Sequence, residues 1–489
     1  MLPLRLARTR LGRVTTARPT LRTQARNFCA VKGPSLASTS RKTTRYIAIT
    51  IAVSAPYLWW LLTTRDDEVP SLGTPAEHLV VEPGPSKEEV TRILSQDAYS
   101  FRVRDVAGVS RYDGAQLASN SPCEDRFTHG KFPSPWDDDG NNQWMAWGVF
   151  DGHAGWQTAD LLTKQLVPFV RHSLGQVGST ASATGTVPDD VVQRAIGKAF
   201  VDLDDSILKM AADTSQSEEP LQDKVKKLAL AYAGSCALLS VYDPVTSTLH
   251  VACTGDSRAV LGQKGHNGKW EMIPLSVDQT GDNKEEVARL NAEHPSEDDI
   301  VKGGRVLGMM VSRAFGDCRW KWPLVLQQDF VRRFYGTPPL TPKYDVRTPP
   351  YLTAEPVVTT TKIDPRKPSF LIMATDGMWY TVSNQQSVDL VGKWVETHAS
   401  ETWKRTSTLE LEPTYEPFDF GHFWKGVNWK FVEGRTTIQD DNVAVHLVRN
   451  ALGGNHHELV AGRLAFTAPS ARRVRDDMTV QVVLFNTQV

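Results

Sequence analysis

The chain has 489 residues, 40% of them hydrophobic, so it is long enough to bury a large core. Its 55 basic and 56 acidic residues nearly balance, and beyond the N-terminus it lacks the basic excess that nucleic-acid-binding proteins carry. The five cysteines form no CxxC pair, which argues against a zinc site or a disulfide framework.

The N-terminal residues 1–45 are rich in Arg, Ser and Thr and contain no Asp or Glu. This composition is typical of a mitochondrial transit peptide, which plays no part in the fold of the mature protein. A disordered basic tail is the alternative. We therefore predict a transit peptide at 1–45 and a mitochondrial location.

Residues 46–62 are uncharged and apolar. The stretch lies at the short end of the roughly 17–25 residues that span a bilayer. Tyr57, Trp59 and Trp60 suit an interfacial aromatic belt. We predict a single anchor in the inner membrane, with the matrix or intermembrane-space side left open, and an extended presequence as the alternative.

A linker rich in Pro, Gly and Glu is predicted at 63–90, and one folded domain with insertions at 91–489. Apolar residues at helical spacing predict helices, and short apolar runs predict strands. A Gly/Ser/Thr-rich segment at 175–188 is predicted to be a loop. The predicted helices are 88–95, 157–174 and 189–210, and the predicted strands include 229–242, 248–254 and 259–263. The pattern is that of an α+β domain.

The apolar stretch 144–150 ends in Asp151-Gly152-His153. A strand there would fix the position of the Asp151 carboxylate, and Gly152 would let the backbone approach a ligand closely enough for its carbonyl oxygen to bind. Such oxygens suit hard cations such as Mg²⁺ or Mn²⁺. Taken alone, an ordinary Asp-Gly turn is the simpler interpretation.

Other acidic residues also lie at the ends of strand-like runs. They are Glu124-Asp125, Asp256, Asp376 and Asp476-Asp477. If these strands pack side by side, their ends bring the carboxylates together. Such a cluster repels itself and is costly to desolvate, and cations would resolve the conflict. Paired divalent ions suit the hydrolysis of phosphate esters.

Several short motifs occur in the order found in one enzyme family. They are Glu124-Asp125, Asp151-Gly152-His153, residues 255–259, residues 312–317, residues 376–379 and residues 476–480. On these motifs the chain resembles the metal-dependent type 2C protein phosphatases, the PPM family. Residues 120–126, 348–356 and 441–451 make it similar, within that family, to the mitochondrial pyruvate dehydrogenase phosphatases.

The resemblance implies a four-layer αββα sandwich of two antiparallel sheets flanked by helices, with subfamily insertions. It also implies a protein serine/threonine phosphatase in which a metal-bound water attacks the phosphoserine. The substrate it implies is the pyruvate dehydrogenase E1 alpha subunit, which dephosphorylation reactivates. The same chemistry on another mitochondrial phosphoprotein is an alternative, and a catalytically inactive scaffold is an alternative of a different class.

By the same resemblance, two Mg²⁺ or Mn²⁺ ions are held by a defined set of ligands. These are Asp151 as the bridge, the Gly152 carbonyl, Asp376 and Asp476. Asp151 is thereby a catalytic residue as well as a metal ligand.

The resemblance gives other residues supporting roles. Glu124 and Asp125 hold the waters of these ions, and Asp256 helps to bind a third, weaker ion. His153 is the general acid that protonates the leaving seryl oxygen, with a structural histidine as the alternative.

The chain departs from the family pattern at two positions. Asn120 stands where many type 2C phosphatases have an arginine that binds the substrate phosphate, and the pyruvate dehydrogenase phosphatases depart there too. Tyr380 stands where relatives usually have an acid, which weakens the case for a third ion.

Two predicted insertions, 319–350 and 401–438, are rich in aromatic residues. Exposed aromatic residues can form recognition surfaces, whereas the simpler interpretation is that they pack onto the domain. The resemblance implies that such insertions help to recognise the lipoyl domain of the pyruvate dehydrogenase complex.

Overall fold

The computed structural model describes residues 84–136, 142–181, 187–399 and 430–487. Within these ranges no helix combines the length and apolar character that crossing a membrane requires. The predicted transit peptide at 1–45, the predicted anchor at 46–62, most of the predicted linker and residues 401–429 of the second insertion lie outside the described residues. Those assignments stay predictions.

The described strands are short and occur in groups that helices separate along the chain. In chain order they are β1 Tyr99–Arg102, β2 Val109–Leu117, β3 Arg126–Pro133, β4 Gln143–Phe150, β5 Gly152–His153, β6 Gly234–Ser235, β7 Ala237–Asp243, β8 Thr248–Thr254, β9 Arg258–Lys264, β10 Trp270–Pro274, β11 Val301–Lys302, β12 Arg305–Val306, β13 Phe315–Gly316, β14 Val357–Lys362, β15 Ser369–Ala374 and β16 Met478–Phe485.

The described α-helices follow the same chain order. They are α1 Lys87–Leu94, α2 Gln157–Ala181, α3 Asp189–Gln216, α4 Leu221–Tyr232, α5 Lys284–Glu293, α6 Cys318–Lys321, α7 Leu324–Phe334, α8 Asp376–Trp379, α9 Asn384–Ala399, α10 Val443–Leu452 and α11 His457–Ala465. Helix α1 begins inside the range predicted as linker, and its Val90 and Leu94 are buried.

The strands form two large antiparallel sheets. One has the order β1-β2-β16-β15-β9-β10, and the other has the order β14-β8-β7-β4-β3. A small sheet of order β13-β6-β5 lies beside the end of β4. The chain termini of the domain therefore meet in the first sheet, where β16 pairs with β2.

Strand β4 shows how the layers are built. Its Trp147 and Val149 pack into the core between the two sheets, with Leu371 of β15. Its Trp144 faces the other way and packs with Leu166 of helix α2. Because successive side chains of a strand point to opposite faces, a strand covered on both sides reads as a continuous apolar run.

Helices cover both outer faces of the sandwich. Helices α2 and α3 pack on the second sheet, and α1, α9, α10 and α11 pack on the first sheet. The predicted α+β fold, a four-layer αββα sandwich, is confirmed.

Three local predictions are wrong. Helix α2 continues to Ala181, so residues 175–181 of the predicted loop are helical. The Trp136 indole donates a hydrogen bond to the Leu174 carbonyl at 3.1 Å and packs on Gly178, so tertiary contact outweighs the low helix propensity of this segment.

The predicted strand at 229–242 begins too early, because helix α4 ends only at Tyr232. Its Leu228 and Ala231 are buried at helical spacing. Short apolar runs fit a buried helix as well as a strand. Helix α3 also extends beyond its predicted end at 210, to Gln216, and its Ala211, Thr214 and Ser215 are buried.

The first insertion, 319–350, forms helices α6 and α7. Its Trp322, Phe330 and Phe334 are buried in the core beside helix α4. Most of its aromatic residues therefore pack onto the domain, while Tyr335 is 81% exposed.

Candidate active site

Three aspartates converge at one end of the sandwich. Asp151 follows β4, Asp256 follows β8, and Asp376 follows β15 as the first residue of α8. One carboxylate oxygen from each lies within 4.8 Å of the other two. The sequence prediction that strand ends bring these acids together agrees with this geometry, and the two large sheets contribute jointly.

The three carboxylates are electrostatically unfavourable as a group. Burial and the neighbouring charges of Asp376 and Asp125 raise the pKa of Asp151 well above its usual range. Burial and Asp376 raise the pKa of Asp256 to about 7. Burial also raises the pKa of Asp376, against a hydrogen bond from the Tyr380 hydroxyl.

Within the described ranges, Asp151, Asp256 and Asp376 form no ion pair with a lysine or arginine. Asp256 does accept a hydrogen bond from the buried Cys236 thiol, with Sγ to Oδ1 at 3.4 Å. Buried carboxylates without a cationic partner are costly, and oxygen donors are the ligands that hard divalent cations prefer. The residues present therefore fit Mg²⁺ or Mn²⁺.

Gly152 is held where only glycine fits. It pairs with Ser235 of β6, and a Cβ there would overlap the Glu124 carbonyl oxygen. The backbone beside Asp151 thus lies tightly against the Glu124 segment. This close approach agrees with the sequence argument for a glycine at this position.

Asp476 is not part of the 4.8 Å group. Its carboxylate forms an ion pair with Arg472 and accepts the Asp477 N–H at 2.7 Å. Its assignment as a metal ligand stays a prediction. The sequence motif alone did not predict that Arg472, four residues earlier, forms an ion pair with the Asp476 carboxylate.

Asp477 has a structural role instead. Its carboxylate accepts the N–H groups of Ser119, Asn120 and Glu124 at 2.5, 3.0 and 2.9 Å. These bonds lower the pKa of Asp477 despite its burial. The turn that carries the predicted Glu124-Asp125 pair is therefore fixed from the start of β16.

Asp125 is buried and bound to protein hydroxyls. Its Oδ2 accepts hydrogen bonds from the Oγ1 atoms of Thr375 and Thr479, both at 2.8 Å. Burial and the charge of Asp477 raise its pKa to about 8. Glu124 is only partly buried, and its Oε2 lies 3.5 Å from the Asn120 amide.

His153 has a partner to which the sequence analysis assigned no role. Its Nε2 lies 2.6 Å from Oδ2 of Asp317, whose side chain is 2% exposed. Burial opposes protonation, but the charge of Asp317 and this hydrogen bond outweigh it, so the pKa of His153 is raised. A Cβ at Gly234 would overlap both side chains, so glycine leaves the room for this pair.

The position of Asp317 depends on a buried ion pair beneath it. Lys321 Nζ binds Asp204 Oδ2 at 2.6 Å and the Ala314 carbonyl at 2.7 Å. Asp204 also accepts the Gly316 N–H at 2.8 Å. Helix α3 thus anchors the turn that presents Asp317. The signal available in the sequence was the Gly316-Asp317 end of a family motif.

A cavity of about 630 Å³ opens beside the aspartates. Asp256 and Asp376 line it together with Arg258, Tyr380 and the apolar Met310. Arg258 is bound to Asp278 in a bidentate pair, at 2.9 and 2.7 Å. The cavity therefore leaves open space next to the acidic group.

Comparison with known proteins agrees with this geometry. The protein phosphatase 2C family model matches residues 114–412, more than half of the chain. A protein phosphatase 2C homolog of Schizosaccharomyces pombe is 39% identical over 382 residues, which cover 78% of this chain and 81% of the relative.

Two further relatives are named as mitochondrial pyruvate dehydrogenase (acetyl-transferring) phosphatases. Phosphatase 1 of Saccharomyces cerevisiae is 35% identical over 77% of this chain and 69% of its own length. Phosphatase 2 of Homo sapiens is 30% identical over 82% of this chain and 84% of its own length. The chain belongs to the protein phosphatase 2C family, as a protein serine/threonine phosphatase similar to the pyruvate dehydrogenase phosphatases.

Proposed function

We propose that the chain is a mitochondrial, metal-dependent phosphatase that removes phosphate from serine of the pyruvate dehydrogenase E1 alpha subunit and so reactivates that enzyme. The convergence of Asp151, Asp256 and Asp376 carries the chemical part of this proposal. The names of the yeast and human relatives support the substrate and the compartment.

Two divalent ions are assigned to the protein oxygens at the end of the sandwich. Asp151, the Gly152 carbonyl, Asp376 and Asp476 would hold them, and Asp256 is placed beside Asp151 and Asp376 for a weaker third. When bound, such ions lower the pKa of a coordinated water and offset negative charge on phosphoryl oxygens. Tyr380 contributes a hydroxyl, which is a weaker cation ligand than the acid usual in the family.

His153 supplies the proton for the leaving group. Because Asp317 binds Nε2 of the imidazole at 2.6 Å, Nδ1 is the nitrogen left to face the substrate. As the bond between phosphorus and the seryl oxygen breaks, that oxygen takes the Nδ1 proton and leaves as a serine hydroxyl. Asp317 keeps its negative charge and stabilises the imidazolium before the transfer.

The acidic pair at 124–125 supports the site rather than the chemistry. Asp125 binds Thr375, which precedes Asp376, and Thr479, the second residue of β16, and so ties its turn to both segments. Glu124, which is partly exposed, is free to bind ordered water beside the ions. The proposal also includes contact with the lipoyl domain of the complex through the predicted insertions.

The test uses the full chain and two substrates, phosphorylated E1 and an unrelated phosphoserine peptide. Phosphate release is measured with Mn²⁺, with EDTA, and for Asp151→Asn. Asp213→Asn, an exposed aspartate of helix α3 paired with Lys209, is the matched control. We expect metal-dependent release from E1 that EDTA and Asp151→Asn abolish and that Asp213→Asn retains.

The two substrates separate the parts of the proposal. Release from the peptide but not from E1 would keep the metal-dependent chemistry and refute the substrate. Release from E1 that persists in EDTA would refute the role given to the aspartates.

A further inference from the structure

One arginine contacts Asp476 and has about half of its side chain in solvent. Arg472, on the short 3₁₀ helix Ser470–Arg473, forms an ion pair with Asp476, and its side chain is 49% exposed. Its charge also reaches Asp376, where it opposes the rise in pKa that burial causes. Arg472 therefore brings a positive charge to the rim of a strongly negative site.

The other polar groups nearby are already engaged. The Asn120 amide donates to Asp477 at 3.0 Å and to Glu124 at 3.5 Å, so both its hydrogens are used. Arg258 gives two bonds to Asp278 and a third, at 2.6 Å, to Asn384.

Arg126 is another guanidinium beside the acidic pair in the described part of the chain. It donates to the carbonyls of Cys123 and Asp125 at 2.6 and 2.8 Å, and it lies over the Trp156 ring. These contacts hold it on the protein. Arg472, which is half exposed, is therefore better placed than Arg126 or Arg258 to bind a second anion.

We propose that Arg472 binds the phosphate of the substrate. It would thereby replace the phosphate-binding arginine that many type 2C phosphatases have at the position of Asn120, which carries no charge. This inference rests on the proposed function. A guanidinium has five N–H donors in a planar fork, so it can bind a carboxylate on one side and a phosphate on the other. The ion pair with Asp476 then serves to orient the fork toward the acidic group.

The same ion pair links phosphate binding to the site. A cation bound by the Asp476 carboxylate would weaken the attraction between Asp476 and Arg472. The positive charge of Arg472 would then be less neutralised and would attract a phosphate more strongly. Arg472 is a substrate-binding residue in this scheme, because it contacts the phosphate and takes no part in proton transfer.

The experiment compares Arg472→Ala with Arg473→Ala in the full chain. Arg473 is the exposed neighbour on the same 3₁₀ helix, so both variants lose one surface charge. Binding of inorganic phosphate to the Mn²⁺-loaded protein is measured by calorimetry, after the Mn²⁺ affinity of each variant has been titrated. KM and kcat are measured on a phosphoserine peptide.

We expect Arg472→Ala to weaken phosphate binding and to raise KM by about tenfold or more, the size of a lost charge-assisted hydrogen bond. The change in kcat should be smaller, and Arg473→Ala should stay within about twofold of the parent chain. Arg472→Gln, which keeps the length of the side chain, should repeat the result and guards against a folding defect in the alanine variant.

A rescue makes the assignment specific. Asn120→Arg, added to Arg472→Ala, should restore phosphate binding at least in part, because it returns a guanidinium to the acidic turn. Equal phosphate binding in Arg472→Ala, Arg472→Gln and Arg473→Ala would overturn the proposal. If the parent chain hydrolyses no phosphoprotein, the proposed function fails, while the phosphate titration still decides the role of Arg472.

Discussion

Two regions of the molecule bury aspartates in opposite ways. In the helical layer over the first sheet, Arg449 grips Asp440 with bonds of 2.8, 3.1 and 2.8 Å, and the two side chains are 4% and 2% exposed. At the end of the sandwich, Asp151, Asp256 and Asp376 crowd within 4.8 Å and have no such partner among the described residues.

The difference distinguishes an aspartate that stabilises the fold from aspartates that are suited to binding a ligand. A buried charge is strongly unfavourable unless it is paired, and the Asp440–Arg449 pair meets this requirement within the protein. The three aspartates leave it unmet, which a stable fold tolerates when a ligand supplies the missing charge. The Asp204–Lys321 pair belongs to the first kind, although it supports a turn of the site.

The largest effect should follow from Asp376→Asn. Removing one of three converging charges weakens the attraction for cations, and we expect phosphatase activity to fall on the order of 10²–10³-fold or more. Without metal the variant should be no less stable than the parent, because the substitution relieves repulsion with Asp151. Peptide hydrolysis and thermal unfolding in EDTA measure the two quantities.

The matched substitution at the Asp440–Arg449 pair should lower stability and leave activity unchanged. Asp440→Asn leaves Arg449 buried with a weakened partner, so we expect a loss of about 3 kcal/mol in unfolding free energy. Activity per folded molecule should hold, because Asp440 lies away from the acidic group. If both variants lost stability equally in EDTA, the contrast between paired and unpaired acids would be wrong.

The fold and the convergence of Asp151, Asp256 and Asp376 could be predicted because their signals are local. The apolar run before Asp151 and the Asp-Gly turns at 151 and 376 are visible in the sequence, and the sandwich brings them together. The resemblance to the type 2C phosphatases added the layer order, which periodicity alone does not give.

Other features depend on contacts that no local pattern reveals. The extension of helix α2 rests on Trp136, which is distant in sequence from Gly178. The pairing of His153 with Asp317 spans 164 positions and needs the room that Gly234 leaves. A sequence shows each of these residues but not that they meet.

Asp317→Asn tests a residue that stands between the two regions, because it is buried like Asp440 but pairs with a site residue. The imidazole would lose its orienting carboxylate, and we expect kcat on a phosphoserine peptide to fall about 10–100-fold. Hydrolysis of p-nitrophenyl phosphate, whose leaving group needs no proton, should fall much less. An equal fall for both substrates would show that Asp317 only stabilises the fold.

The smallest expected effect is the pH dependence of stability, which tests whether Asp256 lacks a compensating charge in the folded protein. In EDTA, Asp256 binds a proton in the folded state up to its pKa of about 7, whereas an unfolded aspartate releases it near its usual value. The folded state therefore holds more protons between these values, and the stability from this group is complete at low pH and lost as the pH rises through about 7.

Two buried histidines act in the opposite direction, so the comparison needs a variant. Burial lowers the pKa of His250 and His446 to about 4, which makes the fold more stable as the pH rises toward the usual histidine value. Both remain in Asp256→Asn, which removes only the aspartate.

From pH 5 to 8 in EDTA, the melting temperature of the parent should fall by about 2–4 °C relative to that of Asp256→Asn. Added Mn²⁺ should remove this relative fall, because it replaces the proton as the compensating charge. A difference that stays constant across the range, with or without metal, would mean that Asp256 is already compensated within the protein.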